Sequence, residues 1–348
     1  MRAAIYYAAG DIRLEDVPEP CPRAGEVLVR VAHNGICGSD LHEYFSASKF
    51  IPTGQPHPLT GVTAPVILGH EFSGTVVDAG AGVDASLLGK RAAIRPTYSC
   101  GQCAACSRGL TQICRLLAFH GLSAAGGGLS EFTTLPAAMV HPLPENVSLE
   151  LGALVEPMAV AHHAVRRVEL APNDLAVIVG AGPIGIGVWF ALRAVGHDRI
   201  LVSEISAERR RAITSLGAEH AIDPRSESLM DAANTLSGNA GARAVFDAAG
   251  VGAAIVDSVP ALAPRGTIIV VGIHEKPFPF DPTTLLLQEV DVVGSLVYDI
   301  PDYEEVIANM AAGRYDTSGW VTHIELGELL DGYENLRAGR EMKVLVDL

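Results

Sequence analysis

Leu175-Ala176-Val177-Ile178-Val179-Gly180-Ala181-Gly182-Pro183-Ile184-Gly185 is the stretch that decides the fold. Five apolar residues in a row predict a strand buried on both faces. A Gly-x-Gly-x-x-Gly turn follows, and a helical pattern runs on to Val195. The uncharged run from Leu175 to Leu192 resembles a membrane span in composition only. It contains Gly180, Gly182, Gly185, Gly187 and Pro183, and its periodicity changes at Gly180.

Downstream, strand and helix patterns alternate. Ile200-Leu201-Val202-Ser203-Glu204 predicts a second strand, Ser206 caps the next helix and Gly217 ends it. His220-Ala221-Ile222, Ala244–Asp247, Thr267–Val271 and Val290–Gly294 predict four more strands. Six strands with helical crossovers predict a doubly wound parallel sheet, an α/β fold. The glycine turn follows the first strand and opens a helix, and an acid, Glu204, ends the second strand. That context predicts dinucleotide binding at Gly180, Gly182, Pro183, Ile184 and Gly185. Glu204 accepts hydrogen bonds from ribose hydroxyls and repels a 2′-phosphate, which favours NAD over NADP. Arg209, Arg210 and Arg211 could hold that phosphate; a solvated helix face is the simpler account of them.

Upstream the chain is richer in β patterns and in metal-binding side chains. Cys100-x2-Cys103-x2-Cys106-x7-Cys114 places four of the six cysteines in one short loop. Four thiolates at these spacings can close a tetrahedron around zinc, and a shell so closed leaves no open position for chemistry; an iron–sulfur cluster is the minor alternative. Gly35-Ile36-Cys37-Gly38-Ser39-Asp40-Leu41-His42 holds a thiol, a hydroxyl and an imidazole within six residues. Thiolate is a soft metal ligand, and a hydroxyl and an imidazole can pass a proton. Gly69-His70-Glu71 adds an imidazole and a carboxylate. Glu71 ends an apolar run, where an acid costs several kcal/mol unless it is paired or metal-bound. Val155-Glu156-Pro157 adds a second carboxylate. Metal and dinucleotide sites in one chain suit alcohol oxidation.

The 348 residues are 49% hydrophobic and 19% charged, with a net charge of −15. That balance supports large cores and argues against nucleic acid or an anionic membrane as partner. Met1 to Arg13 lacks the apolar region of a signal peptide, and the thiols read as metal ligands rather than disulfides. A cytoplasmic protein is expected. The domain expectation is 1–155 for a zinc-binding catalytic domain and 156–295 for the dinucleotide domain. Residues 296–348 are too short for a domain, and their last strand is expected to return to the first.

Taken together, the Cys37 stretch, Gly69-His70-Glu71, the four-cysteine loop, Glu156-Pro157 and the glycine turn resemble the zinc-dependent medium-chain alcohol dehydrogenases over essentially the whole chain. Glu156 stands where the ethanol-oxidising branch has a second cysteine ligand, so the similarity is closer to the polyol branch. The stretch from Phe50 to Gly74 and Gly294-Ser295-Leu296-Val297-Tyr298 are similar to butanediol (acetoin) dehydrogenases in particular. Sorbitol dehydrogenases carry an arginine near Val297, which this chain lacks.

The resemblance implies a GroES-like catalytic domain beside a Rossmann coenzyme domain. It implies two zinc ions per chain, one catalytic and one structural, with NAD as cofactor. Cys37, His70 and Glu156 are implied as catalytic zinc ligands, with Glu71 as the fourth ligand or close behind a water. A second carboxylate would make the zinc shell negative and oppose alkoxide formation. Only one of Glu71 and Glu156 is therefore expected to ligate when substrate is bound. Ser39 and His42 are implied as the proton relay. Tyr44, Phe45, Phe119 and Tyr298 are candidate pocket walls by position alone, and core packing would account for each equally well. The implied substrate is a small vicinal diol or hydroxyketone, (R,R)-2,3-butanediol and acetoin first, with sorbitol, threonine or another polyol as alternatives. A homodimer or homotetramer is implied. The reading from another class is a zinc- and nucleotide-binding protein without turnover.

Overall fold

The structure, a computed structural model, describes residues 1–46 and 49–348. Its contacts divide into two units. The first holds Met1–Glu156, Asp299–Ala311 and Val321–Leu348; the second holds Pro157–Tyr298 and Ala312–Trp320.

The first unit is β-rich. Its largest sheet is organised on the strand Glu26–Gly35, which pairs antiparallel with Glu71–Ala79, Phe132–Pro136 and Lys343–Asp347. Alternation along Glu26–Gly35 sends Val27, Val29 and Val31 into one core with Phe72, Val76, Ile94 and Leu135. The opposite layer gathers Tyr6, Ile36, Leu68, Leu129, Tyr333, Val344 and Val346. The last strand, Lys343–Asp347, lies between Glu26–Gly35 and the parallel strand Val321–Glu325. Its register sets Leu345 opposite Gly35, Val346 opposite Asn34 and Asp347 opposite His33. Residues from the two ends of the chain thereby become neighbours beside Cys37.

The second unit contains a six-stranded parallel sheet. Its order is Ala221–Ile222, Ile200–Ser203, Ala176–Val179, Ala242–Asp247, Leu262–Val270, Asp291–Gly294. The order reverses beside the first strand, Ala176–Val179, as a doubly wound sheet requires. All four residues of Ala176–Val179 are buried, which accounts for their unbroken apolar run. The fifth strand starts earlier than its apolar pattern predicts, at Leu262 rather than Thr267. Pro264, Arg265 and Gly266 break the alternation there, and the pairing takes a register shift between Ala242 and Ala244. Ser206 caps the helix Ala207–Ser215 by accepting from the Arg209 N–H, and Gly217 follows the helix at φ 109°. Among the described residues, no helix is long and apolar enough to cross a membrane.

Candidate active site

Cys37 is the N-cap of the helix Gly38–Phe45. Asp40 closes that turn: its Oδ2 accepts the Cys37 N–H at 2.9 Å. The helix N-terminus favours a thiolate at Cys37. His70 comes from the turn before the strand Glu71–Ala79. Gly69 has φ 102°, and a side chain there would collide with Leu129 and Gly128, so only glycine lets the chain deliver His70 and Glu71 together. The ligand atoms of Cys37, His70 and Glu71 all lie within 4.8 Å of one another. Glu156 is buried as well and acts electrostatically on His70, but it does not join the other three within that distance.

The two nitrogens of His70 are differentiated. Asp40 Oδ1 lies 3.6 Å from Nδ1, and Ser39 Oγ lies 3.1 Å from Nε2. The Asp40 carboxylate on the Nδ1 side favours a proton there electrostatically and leaves Nε2 as the atom toward a metal. Burial opposes a charge on His70, yet Asp40, Cys37 and Glu156 outweigh it and raise its pKa to about 10. Burial and the Glu71 carboxylate push the Cys37 thiol above its ordinary value. Buried anions that load a proton onto a histidine form a place suited to a cation. His42 is one turn after Ser39 on the same helix face. The Phe119 ring stands edge-on to His70, with centroids 6.4 Å apart. Tyr44 packs on Phe45 and Tyr333, and Tyr298 is a buried residue of the second unit.

The four-cysteine loop also has the shape a metal needs. Cys103 Sγ lies 3.6 Å from Cys106 and 3.9 Å from Cys114; Cys100 Sγ lies 3.9 Å from Cys106 and 3.5 Å from Cys114. Zinc with bonds of about 2.3 Å holds tetrahedral sulfurs about 3.8 Å apart. None of these cysteines is in a disulfide. Backbone N–H groups of Cys106 and Arg115 lower the Cys103 thiol to about 6, whereas burial and neighbouring thiols raise Cys106 to about 11.

At the glycine turn, Gly180 has φ 94° and Gly182 is the N-cap of the helix Pro183–Ala194. A side chain at Gly185 would strike the Gly180 carbonyl, so glycine keeps the helix tight on the strand. Pro183 opens the helix, where its missing N–H costs nothing. No side chain caps that helix start, so its N–H groups remain available to a pyrophosphate. Glu204 accepts from the Ala181 N–H and the Ser206 N–H, each at 2.7 Å, which fixes its carboxylate at the turn. Of the three arginines, Arg210 pairs with Asp223 at 3.2 Å and Arg211 with Glu208 at 3.0 Å.

Comparison with known proteins agrees with this geometry. The alcohol dehydrogenase GroES-like domain family matches residues 23–145, and the zinc-binding dehydrogenase family matches residues 183–312. An (R,R)-butanediol dehydrogenase of Bacillus subtilis is 36% identical, over 99% of this chain and 99% of its own. The chain belongs to the zinc-dependent medium-chain alcohol dehydrogenase family. An (R,R)-butanediol dehydrogenase of Neisseria gonorrhoeae is 33% identical, over 99% of this chain and 98% of its own. The crystal structure of 2R,3R-butanediol dehydrogenase from Bacillus subtilis superposes with a TM-score of 0.92 at 35% identity, covering 100% of this chain and 99% of that one.

Two residues of this dehydrogenase's site escape the sequence reading. Asp40 stands in the Cys37 stretch, but nothing local shows that it turns toward His70. Lys343 is distant in sequence from the rest of the site. Its ammonium pairs with Glu71 inside the protein and donates to the Ile36 carbonyl at 2.9 Å. Both side chains are 2% exposed. Gly35 makes room for this pair, since a side chain there would overlap the Glu71 carboxylate and the end of Lys343.

Zinc fits the Cys37 site by the chemistry of its donors: a thiol, an imidazole and a carboxylate, all types that zinc takes, converge within 4.8 Å of one another. In protein stripped of metal by a chelator, His70 carries a proton at neutral pH. Its raised pKa contributes stability that is complete below pH ~6.5 and lost as pH rises through about 10. Reloading zinc must expel that proton and the Cys37 thiol proton. Calorimetry at pH 7 in buffers of differing ionisation enthalpy should therefore show about two protons released at this site. No release would contradict this ligand assignment.

Proposed function

We propose that this dehydrogenase interconverts a small vicinal diol and its hydroxyketone with NAD, and that (R,R)-2,3-butanediol and acetoin are the pair. The observation that carries the chemistry is Ser39 Oγ at 3.1 Å from Nε2 of a buried histidine grouped with Cys37 and Glu71. Zinc supplies Lewis acidity and the nicotinamide accepts hydride. The chain's own residues do the rest. Cys37 and His70 hold the metal, and Glu156 is the carboxylate that completes its protein shell. Glu71 is held back by Lys343, which cancels its charge. With zinc, one thiolate and the Glu156 carboxylate, the shell is then neutral, as alkoxide formation requires. Ser39 takes the hydroxyl proton, and His42 passes it on toward solvent.

The four cysteines hold a second, structural zinc. Gly182 and the start of the helix Pro183–Ala194 cradle the cofactor pyrophosphate, and Glu204 turns to the adenosine ribose. The diol reading draws on the two butanediol dehydrogenases and on the apolar, buried Val297, near which sorbitol enzymes carry an arginine. The protein acts as a homo-oligomer in the cytoplasm. Support for assembly comes from the edge strand Asp291–Gly294 with exposed Leu286, Leu287, Val292 and Leu296 nearby.

A panel of 2,3-butanediol stereoisomers, sorbitol, xylitol and threonine, each with NAD and NADP, tests this. The highest kcat/KM should fall on (R,R)-butanediol with NAD. A sugar alcohol or threonine in first place would replace the substrate assignment, and no turnover with any would favour a binding role.

A further inference from the structure

A further cluster in the first unit lies on three adjacent strands and takes no part in the reaction proposed above. His33 is on Glu26–Gly35, His323 on Val321–Glu325 and Asp347 on Lys343–Asp347. Asp347 stands directly opposite His33, and His323 stands opposite Leu345, two residues before Asp347 on the same face. One carboxylate oxygen therefore meets two imidazoles: Asp347 Oδ1 is 2.7 Å from His33 Nδ1 and 2.9 Å from His323 Nδ1. The rings stand edge to face with centroids 5.5 Å apart. All three donor atoms lie within 4.8 Å of one another. Glu150, in the first turn of the helix Leu149–Val165, lies 3.6 Å from the other nitrogen of His323, Nε2.

We propose that His33 Nδ1, His323 Nδ1 and Asp347 Oδ1 bind a divalent transition-metal ion of the zinc class, and that Glu150 positions His323 for it.

The donor set selects the ion. Two imidazole nitrogens with one carboxylate suit Zn²⁺, Ni²⁺ or Cu²⁺, whereas Mg²⁺ and Ca²⁺ require oxygen shells. With neutral imidazoles, Asp347 and Glu150 leave the cluster with two negative charges, which a divalent cation neutralises. A proton on His323 Nε2 points at Glu150 and leaves Nδ1 as the ligand, the carboxylate–histidine arrangement that orients metal-binding imidazoles. Zinc bonds of about 2.0–2.2 Å set ligand atoms about 3.3 Å apart, so each nitrogen–oxygen separation must widen by roughly half an ångström. Side chains that are 24%, 37% and 37% exposed have that freedom, and water can fill the remaining position. The strands fix the backbone positions from which the donors project. Without an ion, the same three groups form a hydrogen-bonded triad. With one, the ion clamps the last strand to the strand that leads into Cys37.

The test compares zinc-loaded wild-type protein with His33→Asn/His323→Gln, both titrated with Zn²⁺ after removal of excess metal, with Mg²⁺ as control. Wild type should take up one more zinc per chain than the variant. Its melting temperature should rise with added Zn²⁺ and not with Mg²⁺, while the variant's stays flat. Circular dichroism checks folding, and the single variants His323→Gln and Asp347→Asn carry the test should the double variant not fold. Equal zinc uptake in wild type and variants overturns the site, whether the shared count is high or low. Both chains keep Cys37 and the cysteine loop, so failure of the catalytic assignment would leave this difference unaffected.

Discussion

Ser39→Ala should lower kcat about 10²- to 10⁴-fold, the range that one well-placed proton-transfer group supplies. Zinc content should stay at the wild-type value. The expectation rests on the two sides of His70. Asp40 faces Nδ1, so Nε2 is the metal-facing atom, and Ser39 Oγ is 3.1 Å from it. A hydroxyl there borders the position where the alcohol's proton begins. Alanine in this first turn of the helix Gly38–Phe45 keeps helical propensity, so the change removes the half-buried hydroxyl and little else. Ser39→Thr should restore turnover. KM should move far less than kcat, because the hydroxyl matters most when the proton moves. His42→Ala should cost less, since buffer or water can stand in for a group at the end of a relay. Unchanged turnover in Ser39→Ala would remove the relay, and loss of zinc would make Ser39 structural.

Lys343→Met should destabilise the protein by about 3–5 kcal/mol, the usual cost of leaving one member of a buried ion pair alone. Lys343 and Glu71 are both almost wholly buried, so water cannot screen the orphaned carboxylate. Burial works against the charge on Lys343, but Glu71 and Cys37 outweigh it and hold its pKa above the ordinary lysine value. The contribution of the Lys343 charge is therefore complete below pH ~10.4 and lost as pH rises through the elevated value, so it is present throughout the neutral range. The double variant Lys343→Met/Glu71→Gln should recover most of the loss in a denaturant titration. A second consequence concerns catalysis. Freed from the ammonium, Glu71 can reach the zinc and add a negative charge, so Lys343→Met should lose kcat even at temperatures where it is folded. Equal stability of wild type and Lys343→Met would show that the pair is not formed.

The sequence legibly encodes what is local. A five-residue apolar run with a glycine turn specifies the start of the parallel sheet, and the short cysteine spacings specify a tetrahedral sulfur cluster. Those features are legible because strand, turn and ligands are contiguous. The buried acid at Glu71 was legible as a cost, since a carboxylate in an apolar run needs a partner. Its partner was not, because Lys343 opens an ordinary-looking strand 272 residues away. Only the pairing of the last strand with Glu26–Gly35 brings the two together. Asp40 was hidden differently. One of its oxygens accepts the Cys37 N–H in the first turn of the helix, a local role, while the other faces His70. The early start of the strand Leu262–Val270 is hidden in the sequence because Pro264 and Gly266 imitate a turn, while a register shift absorbs them within the sheet.

The central claim is that Cys37 and His70, with a single carboxylate, hold an open catalytic zinc while Lys343 neutralises Glu71 beside it. Diffraction at the zinc absorption edge from crystals grown with NAD and a butanediol tests this most directly. The predicted map has one anomalous peak within bonding distance of Cys37 Sγ, His70 Nε2, Glu156 and the diol oxygen, with Glu71 on Lys343. A peak bound by both carboxylates and the diol oxygen, or no peak beside Cys37, would contradict it.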